Sequence, residues 1–197
     1  MLNVIVEDIL SQAVMQRLLD HIGLREAPTF RVMRGNGKIR EGIQKFSAAS
    51  RVSPHIVLTD LDRFPCPPAL IKQWNIGRLP ETMLLRVAVH EVEAWLMADR
   101  AGFAGYLQVA QEKVPFDPET EIDPKQCLFS LVRRSRKRRL RDEILPTSGA
   151  HIGPLYNEYF CRFASEHWRI EDAVANAPSL ARSLERLTAF CRDVVHE

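Results

Sequence analysis

The sequence predicts an α/β protein: a parallel four-stranded sheet flanked by helices, with a helical C-terminal extension. Three observations predict it. Short apolar, β-branched runs alternate with stretches of helical periodicity through the first half of the chain. Each such run is short enough for a strand buried on both faces, as in parallel sheets with helical crossovers. After about residue 110 the strand signal stops and only helical periodicity remains. The division expected is therefore an α/β core over 1–110 and a helical extension over 111–197 packed on that core.

Leu2-Val6 is the first strand, ended by Glu7-Asp8. Apolar residues at Leu10, Val14, Leu18 and Ile22 then follow helical spacing, and Gly23 closes the helix. Phe30-Met33 is the second strand, Gly35-Asn36-Gly37-Lys38 a flexible basic turn, and Ile39 to about Ala49 a helix. His55-Leu58 is the third strand, with Thr59-Asp60-Leu61-Asp62 at its end. Pro65, Pro67 and Pro68 force a loop and then start a helix over Ala69-Trp74. Leu84-Val89 is the fourth strand, and His90-Ala98 is a helix beginning where it ends. Right-handed crossovers between such units give parallel pairing. In the extension, Pro115, Pro118 and Pro124 punctuate an acidic loop, and Cys127-Leu145 is predicted as one helix. Gly149-Pro154 is a turn, and helices follow near Tyr156-Ser165 and Ser179-Val195, with Ser179 expected as the N-cap of the last.

Composition narrows the function classes. The chain of 197 residues is 46% hydrophobic and 26% charged, ordinary for a globular protein with a proper core. A formal net charge of +2 gives no overall field for a polyanion, so any such attraction must come from local clusters. Cys66, Cys127, Cys161 and Cys191 contain no C-x-x-C pair. They are expected as reduced thiols in a cytoplasmic protein, not as a zinc site or a disulfide framework. No signal peptide is expected at the N-terminus, and no segment approaches the ~20 apolar residues of a membrane span.

The chemistry-bearing residues sit at strand ends. The C-terminal edge of a parallel sheet is where α/β proteins place ligands. Glu7 follows the first strand there, and Asp60-x-Asp62 follows the third. Carboxylates gathered at such an edge suit a hard divalent cation, Mg²⁺ or Mn²⁺, which takes oxygen ligands. The simpler account is a solvated acidic loop and an acid favoured by a helix N-terminus, which fits Asp8 better than Glu7. Glu91 and Glu93 follow the fourth strand and join the candidate ligand set, although first-turn acids are common caps. His90 does not complete an H-E-x-x-H zinc motif, because position 94 is Ala. A solvated helix face is the default account of the seven cations between 133 and 141, but their number exceeds what solubility needs and suits either phosphates or an acidic partner surface. Arg133, Arg134, Arg136, Lys137, Arg138 and Arg139, with Lys38 beside the Gly35-Gly37 turn, are the candidate phosphate contacts.

V-E-D at 6–8, L-T-D-L-D at 58–62, V-H-E-V-E-A-W-L-M-A-D at 89–99 and P-S-L-A-R-S-L-E-R-L at 178–187 resemble a bacterial Toprim-like family. That family is related to the Toprim domain of nucleases of the overcoming-lysogenization-defect type. The resemblance spans nearly the whole chain. It implies four parallel strands with the first central, Glu7 as the Toprim glutamate, and Asp60 and Asp62 as its metal-binding aspartates. It also implies Glu91 and Glu93 near the same pocket and an ATPase partner encoded nearby, as in defence-type loci. The chain departs from the pattern at Asp8, where Toprim proteins commonly have Gly; the side chain either crowds an approaching phosphate or adds a ligand.

The function expected is a metal-dependent nuclease or phosphodiester-transfer enzyme acting on nucleic acid, in phage defence with an ATPase partner. Glu7, Asp60 and Asp62 are its expected catalytic residues. The alternatives are a catalytically degenerate Toprim module that binds nucleic acid or a partner protein, and a D-x-D nucleotide-sugar transferase. Haloacid-dehalogenase phosphatases fit less well, since their D-x-D follows the first strand. DNA or RNA as substrate, and homo-oligomerisation, are left open by the sequence.

Overall fold

Four parallel strands form one sheet in the order β2-β1-β3-β4 in the computed structural model, which describes residues 1–147 and 149–195. The strands are β1 (Asn3–Val6), β2 (Thr29–Val32), β3 (His55–Asp60) and β4 (Met83–Ala88). The interior strands are β1 and β3, and β3 is buried along its full length. The register pairs Ile5 with Val57 and Asp60 with Ala88, so the strands run out together at one edge.

Helices cover both faces. On one, α2 (Asn36–Ser50) and α3 (Pro67–Gln73) bury Ile39, Ile43, Phe46 and Leu70 against Ile5 and Val57. On the other, α1 (Ile9–His21), α4 (Val92–Ala98) and α5 (Arg100–Leu107) share a larger core with the C-terminal helices. Those are α6 (Pro124–Arg133), α7 (Arg138–Ile144), α8 (Tyr156–Arg162), α9 (Ile170–Val174) and α10 (Pro178–Phe190). Val4 and Leu58 from the sheet, Trp95 from α4 and Phe129, Phe160 and Leu187 from the extension belong to this one apolar cluster. No helix among the described residues is long and apolar enough to cross a membrane. All four cysteines are free thiols.

Several elements differ from the sequence expectation. Strand β3 runs two residues further, so Thr59 and Asp60 belong to it. The expected turn at Gly35–Lys38 is mostly the first turn of α2, with only Gly35 outside it at φ 121°. The helix expected from His90 starts at Val92, with Glu91 extended as its N-cap. Two helices, α5 and α9, were not among the expected elements.

The single helix expected over Cys127–Leu145 is two helices broken at 134–137. Buried Ser135 makes the break. Its hydroxyl donates to the Leu107 carbonyl at 2.6 Å and accepts the Lys137 N–H at 3.1 Å. A serine hydroxyl that bonds the backbone this way competes with the helix.

Ser179 is not the N-cap of α10. That place falls to Ala177, with Pro178 at the first helical position. Ser179 faces inward and is buried. Its hydroxyl accepts from Trp95 Nε1 at 2.8 Å and from the Val89 N–H at 3.3 Å, and donates to Glu119 at 2.6 Å. Glu119 also accepts the Ser179 N–H at 2.9 Å, so a carboxylate from a distant loop satisfies the helix start. Ser179→Ala should cost about 1–3 kcal/mol, because it strands the buried Trp95 N–H and removes one of the bonds to Glu119. Urea denaturation measures it; a loss under about 0.5 kcal/mol would match an exposed residue instead.

Candidate functional site

Three strand ends build the candidate site. Glu7 is the first residue beyond β1, Asp60 the last of β3, and Asp62 lies two residues on with φ 52°. Glu91 and Glu93 sit at the start of α4, beyond β4. Backbone hydrogen bonds lock these ends together. The Leu61 N–H donates to the carbonyls of Ala88 at 2.8 Å and His90 at 2.9 Å, and the Asp62 N–H donates to His90 at 3.0 Å. His90 returns the contact through Nδ1, 2.7 Å from the Asp62 carbonyl. On the other side, the Arg34 N–H reaches the Glu7 carbonyl at 2.7 Å.

All five acids predicted from the sequence as metal ligands come to this edge. Asp60 is buried, and its Oδ1 accepts the Val92 N–H at 3.1 Å. Glu93, 1% exposed, accepts the Tyr156 hydroxyl at 2.7 Å and lies 3.2 Å from Lys125 Nζ. Glu91 accepts the Lys125 N–H at 3.0 Å, with its other oxygen 4.0 Å from Nζ. Asn36 joins the remaining pair: its side-chain amide donates to Asp62, and its backbone favours the charged form of Glu7. One carboxylate oxygen of Glu7 and one of Glu93 are buried without a hydrogen-bond partner. Asp8 is committed elsewhere, accepting the N–H and hydroxyl of Ser11, both at 2.8 Å, as the N-cap of α1.

The electrostatics follow from crowding like charges in a poorly hydrated space. Burial, then Asp62 and Asp8, push the Glu7 carboxyl from 4.5 up to about 7. Burial and then Glu93 and Glu7 push Asp60 well above its ordinary range. Burial also raises Asp62, against the pull of Lys125 and Asn36. Burial and Glu93 push Glu91 up to about 7. For Lys125 burial works downward, but Glu93, Glu91 and Asp60 together outweigh it and hold the ammonium above its ordinary range. The acids thus have an internal cation.

Beside them opens a cleft of 670 Å³ lined by Asp62, Glu91, Arg63, Phe64, Ile122 and Asp123, among others. Among the described residues no three His, Cys, Asp or Glu side chains are already gathered to hold a metal ion. The donor chemistry nonetheless suits a hard cation: oxygen ligands only, in excess charge, two of them without a partner.

The predicted phosphate contacts lie apart from the acids. Lys38 is exposed in the first turn of α2. Arg133, Arg134, Arg136, Lys137, Arg138 and Arg139 are all exposed. They are divided by the break between α6 and α7, so they do not form one helical stripe. Arg138 pairs with Asp142 at 3.5 Å and Arg139 with Glu143 at 2.7 Å, which spends two of the expected charges. Helix α6 connects the two regions: Lys125 lies at its start and Arg133 at its end, roughly 12 Å along the axis.

Sequence reasoning missed Lys125, Tyr156 and Asn36. The signal for Lys125 was present, since it is the cation that follows four acids between 117 and 123. Tyr156 left no local signal. Comparison with protein-family models, with curated proteins and with solved structures gave no match to this chain.

The raised carboxyls set a pH dependence. Glu7 and Glu91 bind a proton more tightly in the folded chain than in the unfolded one, so the folded state holds more protons between pH 4.5 and about 7. Stability should fall as pH rises through that window and level off above it, by on the order of 1–3 kcal/mol per group. Denaturation midpoints across the window check the sign, and Glu7→Gln should flatten the slope.

Proposed function

We propose that this chain is a metal-dependent nuclease or phosphodiester-transfer enzyme of Toprim type acting on nucleic acid. The observation that carries the reading is the meeting of Glu7, Asp60 and Asp62 with Glu91 and Glu93 at one sheet edge, with buried carboxylate oxygens of Glu7 and Glu93 lacking a partner. An excess of buried negative charge is costly unless a cation compensates it. The parallel sheet with β1 in its interior agrees with what the resemblance implies.

In this reading Glu7, Asp60 and Asp62 hold Mg²⁺ or Mn²⁺, with Glu91 and Glu93 completing the oxygen donors. The ion supplies stabilisation of charge on the scissile phosphate and a more acidic bound water. The chain's own residues do the rest. Asn36 fixes Asp62 through its side-chain amide. Tyr156 holds Glu93 from inside. The Val92 N–H fixes Asp60. The cleft beside Asp62 and Glu91 gives the substrate strand its approach, with Arg63 on its wall. Arg133, Arg134, Arg136 and Lys137 are the cations left to touch phosphates at the far end of α6, positioning the strand without reading its sequence. Action in phage defence beside an ATPase, and a cytoplasmic location, belong to the same proposal; the four free thiols support the location.

A second reading has its own support. Lys125 already pairs with Glu93 and approaches Glu91, and Asp8 is consumed as a helix cap. A module that binds nucleic acid or a partner without cleaving fits those two facts.

Alanine at Asp60 or Asp62 should abolish divalent-dependent nicking of DNA or RNA while far-ultraviolet circular dichroism stays unchanged. Unaltered nicking by both variants would eliminate the site, and absence of any nicking with retained nucleic-acid affinity would favour the module. Lys125 and a divalent ion serve the same carboxylates, so Lys125→Met should tighten Mn²⁺ binding by roughly tenfold in calorimetric titration. Weaker binding in that variant would show that Lys125 shapes the site instead of competing for it.

A further inference from the structure

A second charged site lies on the opposite side of β4 from its partner strand. Strand β4 ends the sheet, and α10 runs along its free edge. The contacts fix the direction: Ser179 meets Val89, and four residues on Ser183 meets Arg86, so helix and strand are antiparallel. Arg86 is half-buried in this seam, and its Nε donates to the hydroxyl of fully buried Ser183 at 3.2 Å. That bond fixes the guanidinium, and among the described residues its Nη groups have no hydrogen-bond partner. Arg182 and Arg186, one helical turn apart on α10, flank it.

The three arginines border two adjoining hollows. One of 290 Å³ is lined by Arg86, Arg182 and Ser179, and one of 720 Å³ by Arg86, Arg186, Met83 and Phe190, among others. Leu85 and Arg86 line both, so the hollows adjoin at the strand edge. Among the described residues no carboxylate forms an ion pair with Arg86, Arg182 or Arg186. Of the nearby acids, Asp193 pairs with Arg192 at 2.6 Å, Glu119 is hydrogen-bonded by Ser179 while also attracting Arg182, and Glu81 is an exposed lining residue of the larger hollow. Burial chiefly lowers the pKa of Arg86, and the charges of Arg186 and Arg182 add to it.

We propose that Arg86, Arg182 and Arg186 form a phosphate-binding site along the free edge of β4. Three guanidinium forks offer more donors and more positive charge than one carboxylate can satisfy, whereas a phosphate accepts from several forks at once. Like charges held together by a half-buried side chain are unfavourable until an anion joins them. The site uses none of the residues of the carboxylate cluster and stands whether or not that cluster holds a metal. Its phosphate comes either from a nucleic-acid strand or from a free phosphate-bearing molecule.

The test uses the full chain in chelator, so that no divalent ion contributes. Thermal denaturation is measured in inorganic phosphate and in chloride at equal ionic strength. Phosphate should stabilise the protein over chloride, and Arg182→Gln/Arg186→Gln, both exposed positions, should lose that stabilisation while melting no lower in chloride. Binding of a short labelled single-stranded oligonucleotide, followed by anisotropy, separates the sources. If the double variant loses roughly tenfold or more in oligonucleotide affinity, the phosphate is that of a strand. If it loses phosphate stabilisation but keeps oligonucleotide affinity, the ligand is a free phosphate compound. Equal phosphate stabilisation and equal oligonucleotide affinity in wild type and double variant would overturn the site.

Discussion

Five carboxylates crowd the space beyond three strand ends, and the Lys125 ammonium is the cation held among them. Much of the local architecture serves to make that arrangement tolerable. Asn36 at the start of α2 donates its side-chain amide to Asp62. The Val92 N–H at the start of α4 serves Asp60, and Tyr156 serves Glu93. Even so, Glu7, Asp60, Asp62 and Glu91 all keep raised pKa values, because hydrogen bonds compensate a buried charge only in part. A fold that only needed stability would place apolar residues there. The residual cost is the physical reason to look for function at this edge.

The C-terminal helices are integral to the same edge. Lys125 comes from α6 and Tyr156 from α8, so the sheet alone would expose Glu91 and Glu93 without compensation. Further contacts tie the extension to the core. Ser179 links α10 to Trp95 and to the residue after β4, and buried Asp99 receives Arg169 at 2.6 Å while its carboxylate also caps α5. Each tie is a polar group buried with its partners satisfied, which fixes orientation more sharply than apolar packing does.

The elements best foretold are those whose residues answer to one local rule. Leu2-Val6 and His55-Leu58 are apolar and β-branched, and both are strands to within two residues. Helix α1 carries its periodicity, its Asp8 cap and its Gly23 terminator in the sequence itself. The misjudged elements are those where a distant group overrides a local signal. Ser179 carries the local pattern of an N-cap, but Trp95 and Glu119 draw it inward. The stretch 127–145 has helical character throughout, yet the Leu107 carbonyl captures Ser135 and breaks it.

What the sequence alone determined is the alternation of strands and helices and the acids that terminate the strands, because period and strand-end chemistry are properties of neighbours along the chain. Register then carried Glu7, Asp60 and Asp62 to a common edge, as parallel pairing requires. Only the tertiary structure decided which cation meets them and how the basic residues are distributed. Lys125 stands 32 residues beyond Glu93 and Tyr156 stands 63 beyond it, and no local rule joins them. Arg86 and Arg182 are likewise distant in the chain, and the path of α10 along β4 brings them together. Electrostatic energy depends on distance in space, and that distance is set by packing.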